Sequence, residues 1–183
     1  AARRLLESRK RIAVVLADSE AALQGETLEV TVANGSAFVR QALEEPEARG
    51  LLSLMLLHDS RRDARVGPEG EIILLTEQDR ALWDREQIGE GIALLESALR
   101  SGPPGMYSLQ AAIAALHAQA DRAEDTDWHQ IVQLYEMLLR VHPSPVVELN
   151  YAAAVAMAEG PLRGLCLLDA LEARGDLRSY HLL

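Results

Sequence analysis

Cysteine is almost absent from this sequence, with Cys166 the single one among 183 residues. A disulfide framework and a zinc site built on several thiolates are both excluded. Aromatics are scarce, one Phe, two Trp and four Tyr, which argues against a base-stacking surface for nucleic acid. No run of about 18 apolar residues occurs, so no segment reads as a membrane-spanning helix, and no signal-peptide pattern opens the chain. Basic residues are outnumbered, 18 against 28 acidic, giving a net charge of −10 at pH 7. Such a chain repels the phosphates it would have to neutralise and is a poor nucleic-acid ligand by itself. Catalytic signatures are missing as well: there is no G-x-S-x-G, no H-E-x-x-H and no Gly-rich phosphate loop following a strand. The expectation is a soluble, cytoplasmic domain that binds rather than catalyses, with no cofactor and no metal.

What the chain does have is aliphatic residues in helical order. Hydrophobic residues make up 49% of it, enough for a real core. Residues 3–24 read as a first helix, with Leu5, Ile12, Leu16 and Leu23 on its apolar positions and Gly25 as its stop. Residues 1–11 hold Arg3, Arg4, Arg9, Lys10 and Arg11 against Glu7 alone, a basic segment beside an acidic body. Residues 27–45 read either way: Leu28, Val30 and Val32 alternate like a strand, while Phe38, Val39 and Ala42 follow helical spacing. Residues 1–45 therefore form a basic N-terminal helix and junction, and residues 46–183 a helical domain. Asp176 reads as the N-cap of a helix holding Leu177, Tyr180 and Leu183 that stops before its second turn. Together with Ala1, which already lies in a helical pattern, this gives the expectation that the sequence is part of a longer protein.

Within the helical domain, Pro46 opens a helix that is apolar on nearly all sides through Leu57 and runs to about Arg62, the most buried one expected. Residues 64–80 are a non-helical insertion, with a Gly67-Pro68-Glu69-Gly70 turn and an apolar run Ile72–Leu75 that reads as extended. Thr76 or Asp79 then starts a helix containing Trp83, Ile88, Ile92, Leu95 and Leu99, closed by Gly102-Pro103-Pro104-Gly105. Helices follow at 106–121, at 127–141 with Thr126 or Asp125 as cap, at 145–159, and at 161–174 with Gly175 past its end. Helices of this length on short connections make antiparallel hairpins. The Ala-rich faces at 111–115 and 152–156 allow close stacking of the kind a helical repeat needs. Trp128-x2-Ile131-Val132-x2-Tyr135 is close to the opening of a tetratricopeptide repeat, with Tyr151 and Ala154 on the positions of its second helix. The fold class read from this is all-α, tetratricopeptide-like, with one irregular insertion.

Several side chains carry chemistry, each with a plainer alternative. Asp121, Glu124, Asp125, Asp127 and His129 have ligand types but lack the glycine and spacing of a calcium loop, and carboxylates at a helix start are ordinary capping groups. His58-Asp59 and His117 read as helix-end or core histidines rather than acid–base pairs. Cys166, between Leu165 and Leu167 with no basic neighbour, reads as a core thiol. The candidate partner-binding residues are Asp79, Arg80, Trp83, Asp84, Tyr107, Gln110, Trp128 and Asn150. Arg and Trp are enriched at interaction hot spots. The alternative for them is internal: an Arg–Asp pair, a Trp wedged between hairpins, an Asn bonded to a loop. A groove lined by Trp83, Tyr107 and Trp128 would serve a small molecule or peptide.

The runs Gly50–Arg62, Leu75-Thr76-Glu77-Gln78-Asp79-Arg80-x2-Trp83-Asp84, Leu109–Ala115, Asp125-Thr126-Asp127-Trp128 and Pro143–Val147 resemble one group of extracytoplasmic-function sigma factors of the sigma-70 family. That group carries a tetratricopeptide-like extension after its promoter-binding domains. Glu148–Met157 and Gly175-x-Leu177-x2-Tyr180-His181-Leu182-Leu183 are similar to the same extension, so the resemblance runs in order from Pro46 to Leu183. Residues 12–44 lack the aromatic helix with an Asn-Glu-Gly-Tyr-like ending that usually precedes it. The resemblance implies a regulatory domain that contacts RNA polymerase or the promoter-binding sigma domains. Promoter DNA would be reached only through domains outside these residues.

Overall fold

The computed structural model describes residues 44–175. The basic N-terminal helix, the junction to residue 43 and the helix begun at Asp176 lie outside the described residues. Six α-helices follow one another: α1 Pro46–Asp59, α2 Arg85–Ser101, α3 Met106–Gln119, α4 Trp128–Val141, α5 Pro145–Glu159 and α6 Pro161–Arg174. Between α1 and α2 lies the irregular insertion, with 3-10 turns at Arg62–Ala64 and Arg80–Leu82 and one antiparallel bridge between Val66 and Ile72. The fold is all-α with helix hairpins in helical-repeat order, as the pattern predicts.

The punctuation works as written. Pro sits at the start of α1, α5 and α6, where its missing N–H has no helical partner anyway. Ser144 caps α5 through its side chain, and Gly175 ends α6 at φ 73°. Three local expectations are corrected. The second helix does not begin at Thr76 or Asp79: Asp79 caps only a 3-10 turn, Trp83 adopts an extended backbone, and Asp84 caps α2 by accepting from Gln87 N–H at 3.0 Å. The cap of α4 is Asp127, accepting from Gln130 N–H at 2.9 Å, rather than Thr126 or Asp125. The first helix stops at Asp59, where Ser60 turns back on Leu57 O.

α1 packs against both α2 and α3, as its all-round apolar sequence demands. Close approach is made possible by small residues. Ser53, fully buried, donates to Gly91 O at 2.7 Å, and a Cβ on Gly91 would meet Leu57 Cγ at 3.0 Å. Gly50 lies against Ser108 of α3 in the same way, with backbone atoms within 2.7 Å of where its Cβ would be. α3 is the shared element. Its Ala111, Ala115 and Ala118 join Leu57, Trp83, Ile88 and Leu95 in one core. Leu109 and Ile113, on the opposite side at 100° per residue, join Ile131, Val132, Leu138, Val147, Ala154 and Val155 in a second. The residues of the tetratricopeptide-like signature (Trp128, Ile131, Val132, Tyr135, Tyr151, Ala154) all belong to or border that second core. α6 packs on α5, where Gly164 sits over Ala156 and Ala152.

Cys166 is exposed, which corrects its reading as a core thiol. The buried face of α6 is set by Gly164 and Leu171, one helical repeat of seven apart. Residue 166 is two positions from Gly164 and so points about 160° away from that face.

Candidate functional site

A cleft of about 280 Å³ opens at the seam between the two cores. Leu54, Leu57 and His58 of α1 form one wall, with Arg61 just beyond the helix end. Gln110, Ile113, Ala114, His117 and Ala118 of α3 form the facing wall. Leu75 and Trp83 come from the insertion, Tyr135 from α4 and Asn150 from α5.

The far side of Trp83 is held by Arg80. The Arg80 guanidinium lies over the indole, 4.5 Å from the ring centroid, and donates to His117 O and Ala120 O at 2.7 Å each. Arg80 is thus the C-terminal cap of α3, reaching from 37 and 40 residues upstream. Opposite-sign charge from Glu124, Asp121 and Asp125 faces it. Trp83 itself is buried, 4% exposed, and belongs to the first core. Its place is that of the wedge rather than of an exposed contact. Its Nε1–H nevertheless has no acceptor among the described residues.

The two histidines of the cleft wall are held in the neutral form. Arg61 and Arg65 both direct guanidinium nitrogens at His58 Nδ1, 3.0 and 3.2 Å away. A guanidinium can only donate, so Nδ1 is the unprotonated nitrogen and the proton sits on Nε2. His58 keeps an edge in solvent, yet desolvation by the cleft wall, followed by the charges of Arg61 and Arg65, lowers it to about 4. His117, half-buried and edge-on to Trp128 at 5.1 Å, is lowered to about 4 by burial and then by Arg61, Arg80 and His58. Arg61 is lowered to about 10, by burial first and then by Arg65 and Arg80. Burial raises the Tyr135 hydroxyl. Among the described residues no acidic side chain lines the cleft.

Of the eight candidate partner residues, the cleft gathers Trp83, Gln110 and Asn150. Asp79 and Asp84 are helix caps, and Arg80 caps α3 from behind the indole. Trp128 supports His117 from outside the cleft, and Tyr107 lies in the first turn of α3. The groove therefore keeps Trp83 but not Tyr107 or Trp128, and Tyr135 supplies its second aromatic wall. The acidic loop is occupied locally: Asp125 pairs with Arg122 through two 2.9 Å bonds, and Asp127 caps α4. Among the described residues no group of three His, Cys, Asp or Glu is placed to hold a metal. No helix among them is long and apolar enough to cross a membrane.

Sequence reasoning missed two residues that organise this region. Glu47, at the start of α1, accepts from the N–H groups of Gly105, Tyr107 and Ser108 at 3.1, 2.8 and 3.2 Å. It is the N-terminal cap of α3, supplied from about 60 residues away. Arg61 read only as part of a helix end.

Residues 17–99 match a family of unknown function (DUF6596). An uncharacterized protein of Rhizobium meliloti (strain 1021) is 50% identical over 130 residues, 71% of this chain. The chain spans about a third of that relative's length, 31%. No solved structure matches.

Proposed function

We propose that this chain is the regulatory interaction domain of an extracytoplasmic-function RNA polymerase sigma factor, acting in the cytoplasm on transcription initiation. The observation that carries this reading is the ordered run of motifs from Pro46 to Leu183 in an acidic chain, with those up to Gly175 borne on helix hairpins and their connections. A negative helical body suits basic DNA-binding helices, with which it competes against promoter phosphates, and long-range attraction of this kind weakens with salt. Binding, not catalysis, is its work. The test is promoter-specific transcription by the longer protein with and without residues 46–183. A changed yield from the cognate promoter, with polymerase binding retained, supports the reading. Equal yields at every promoter would overturn it.

The cleft favours a second reading of the same domain: a helical-repeat sensor that takes a small molecule between α1, α3 and the insertion. Pockets with an apolar lining and a few convergent polar groups are the usual form of small-ligand sites.

A further inference from the structure

We infer that the cleft between α1 and α3 is a binding site for a small organic monocarboxylate with an apolar body. This rests on the sensor reading above and names the class of ligand it would sense. The charge count is the first argument. Arg65 is committed to His58, donating to its carbonyl at 2.8 Å as well as to Nδ1. Arg80 is committed to the end of α3 and faces three carboxylates. Arg61 is the one guanidinium among the described residues that line the cleft; half-buried there, it bonds only the neutral imidazole of His58, at 3.0 Å, and makes no ion pair among the described residues. One lining guanidinium whose partner is neutral fits one negative charge.

The second argument is independent of charge. Trp83 is 96% removed from solvent and lines the cleft, yet its Nε1–H lacks an acceptor. A buried donor without a partner costs roughly 1–3 kcal/mol, so a bound oxygen that the indole turns to meet is favoured. His58 adds a further donor at Nε2, because Nδ1 is taken. Leu54 and Ile113 line the same cleft and give a flat hydrocarbon body a place to lie. A cation is opposed here, since the lining has guanidinium and no carboxylate. A phosphomonoester carries up to two charges for one lining guanidinium and fits less well.

The experiment uses residues 1–183, ¹⁵N-labelled at the indoles, with benzoate, benzamide and phenyl phosphate as probes. Two tryptophans give two Nε1–H resonances, and Trp128→Phe assigns them. Benzoate should shift the Trp83 resonance saturably, with benzamide at least about tenfold weaker because it lacks the charge. Arg61→Gln should weaken benzoate by at least about tenfold, while Arg62→Gln, whose guanidinium is exposed and paired with Asp59, should leave it unchanged. The benzoate–benzamide comparison needs no variant, so it decides even where Arg61→Gln fails to fold. No shift with benzoate overturns the site, and equal shifts with benzamide overturn the carboxylate assignment while leaving the sensor reading standing. Tighter binding of phenyl phosphate overturns the monocarboxylate assignment. A failed cleft leaves the transcription test of residues 46–183 untouched, so the two readings fail separately.

Discussion

The two sides of α3 are built by different means. Toward α1 and α2 the helices are tied by polar side chains over long sequence distances: Glu47 to the start of α3, Arg80 to its end, Ser53 to Gly91. Toward α4 and α5 the contacts are apolar and come from neighbouring hairpins, with Ile131, Leu138 and Ala154 almost fully buried. Polar ties fix positions more sharply than apolar packing does, because each bond has a direction and a penalty when broken. Repeat packing, by contrast, needs only adjacent faces of the right size. The cleft lies where these two constructions meet: His58, Arg61 and Trp83 come from the tied side, Gln110 and His117 from α3 itself, and Tyr135 and Asn150 from the repeat side.

The largest effect should come from truncating a core on either side. Trp83→Ala in the tied half and Ile131→Ala in the repeat half should cost about 3–5 and about 2–5 kcal/mol. Because α3 serves both cores, each variant should shift a single unfolding transition in urea, followed by far-UV circular dichroism. Two separated transitions would break the comparison's premise that the halves share one folding unit.

Next in size is Glu47→Ala. Three backbone donors at the start of α3 lose a charged acceptor, which costs about 2–3 kcal/mol. Amide hydrogen exchange sharpens the contrast between the halves. Protection should fall first in α1–α3 while the α5–α6 hairpin keeps its own, since no residue of that hairpin bonds to Glu47. Equal loss throughout would mean that the polar ties hold the whole domain.

A pH profile probes the seam between the halves, because both depressed histidines stand at the cleft. Their folded values near 4 lie below the ordinary 6.5, so between these the unfolded chain binds more protons than the folded one. Stability from the neutral imidazoles is complete above about pH 6.5 and is lost as pH falls toward 4. His117→Gln should flatten the dependence of the urea midpoint on pH across that window. An unchanged slope would assign the acid sensitivity to carboxylates elsewhere.

Much of the fold was legible because its signals are local. Pro46, Pro145, Pro161 and Gly175 mark helix ends by constraints on their own backbone, and all four stand where the pattern predicts. The site was less legible because its signals are not local. Arg80 and Trp83 stood out by residue type, but that one caps α3 while the other lies beneath it depends on chain 37 residues on. Arg61 and His58 looked like the end of a helix, and only the facing wall of α3 turns them into a cleft. The start of α2 was misplaced for a related reason. Asp79 and Asp84 are both good N-caps, and the apolar pattern counted Trp83 into a helix when its ring is buried from an extended segment.

The smallest effect belongs to Cys166, and it tests the open end of the repeat half. Flanking leucines made it look buried, but Leu165 is 52% and Leu167 37% exposed, on the same outer side of α6. Access does not limit the reaction of an exposed thiol. In native residues 1–183 it should react with a disulfide reagent at close to the rate seen in urea. Cys166→Ser should change stability by no more than about 0.5 kcal/mol. Slow reaction in the native chain, made fast by urea, would show that the outer face of α6 is covered. The repeat half would then be closed on that side, and its stability would depend on what covers it, as that of the tied half depends on Glu47 and Arg80.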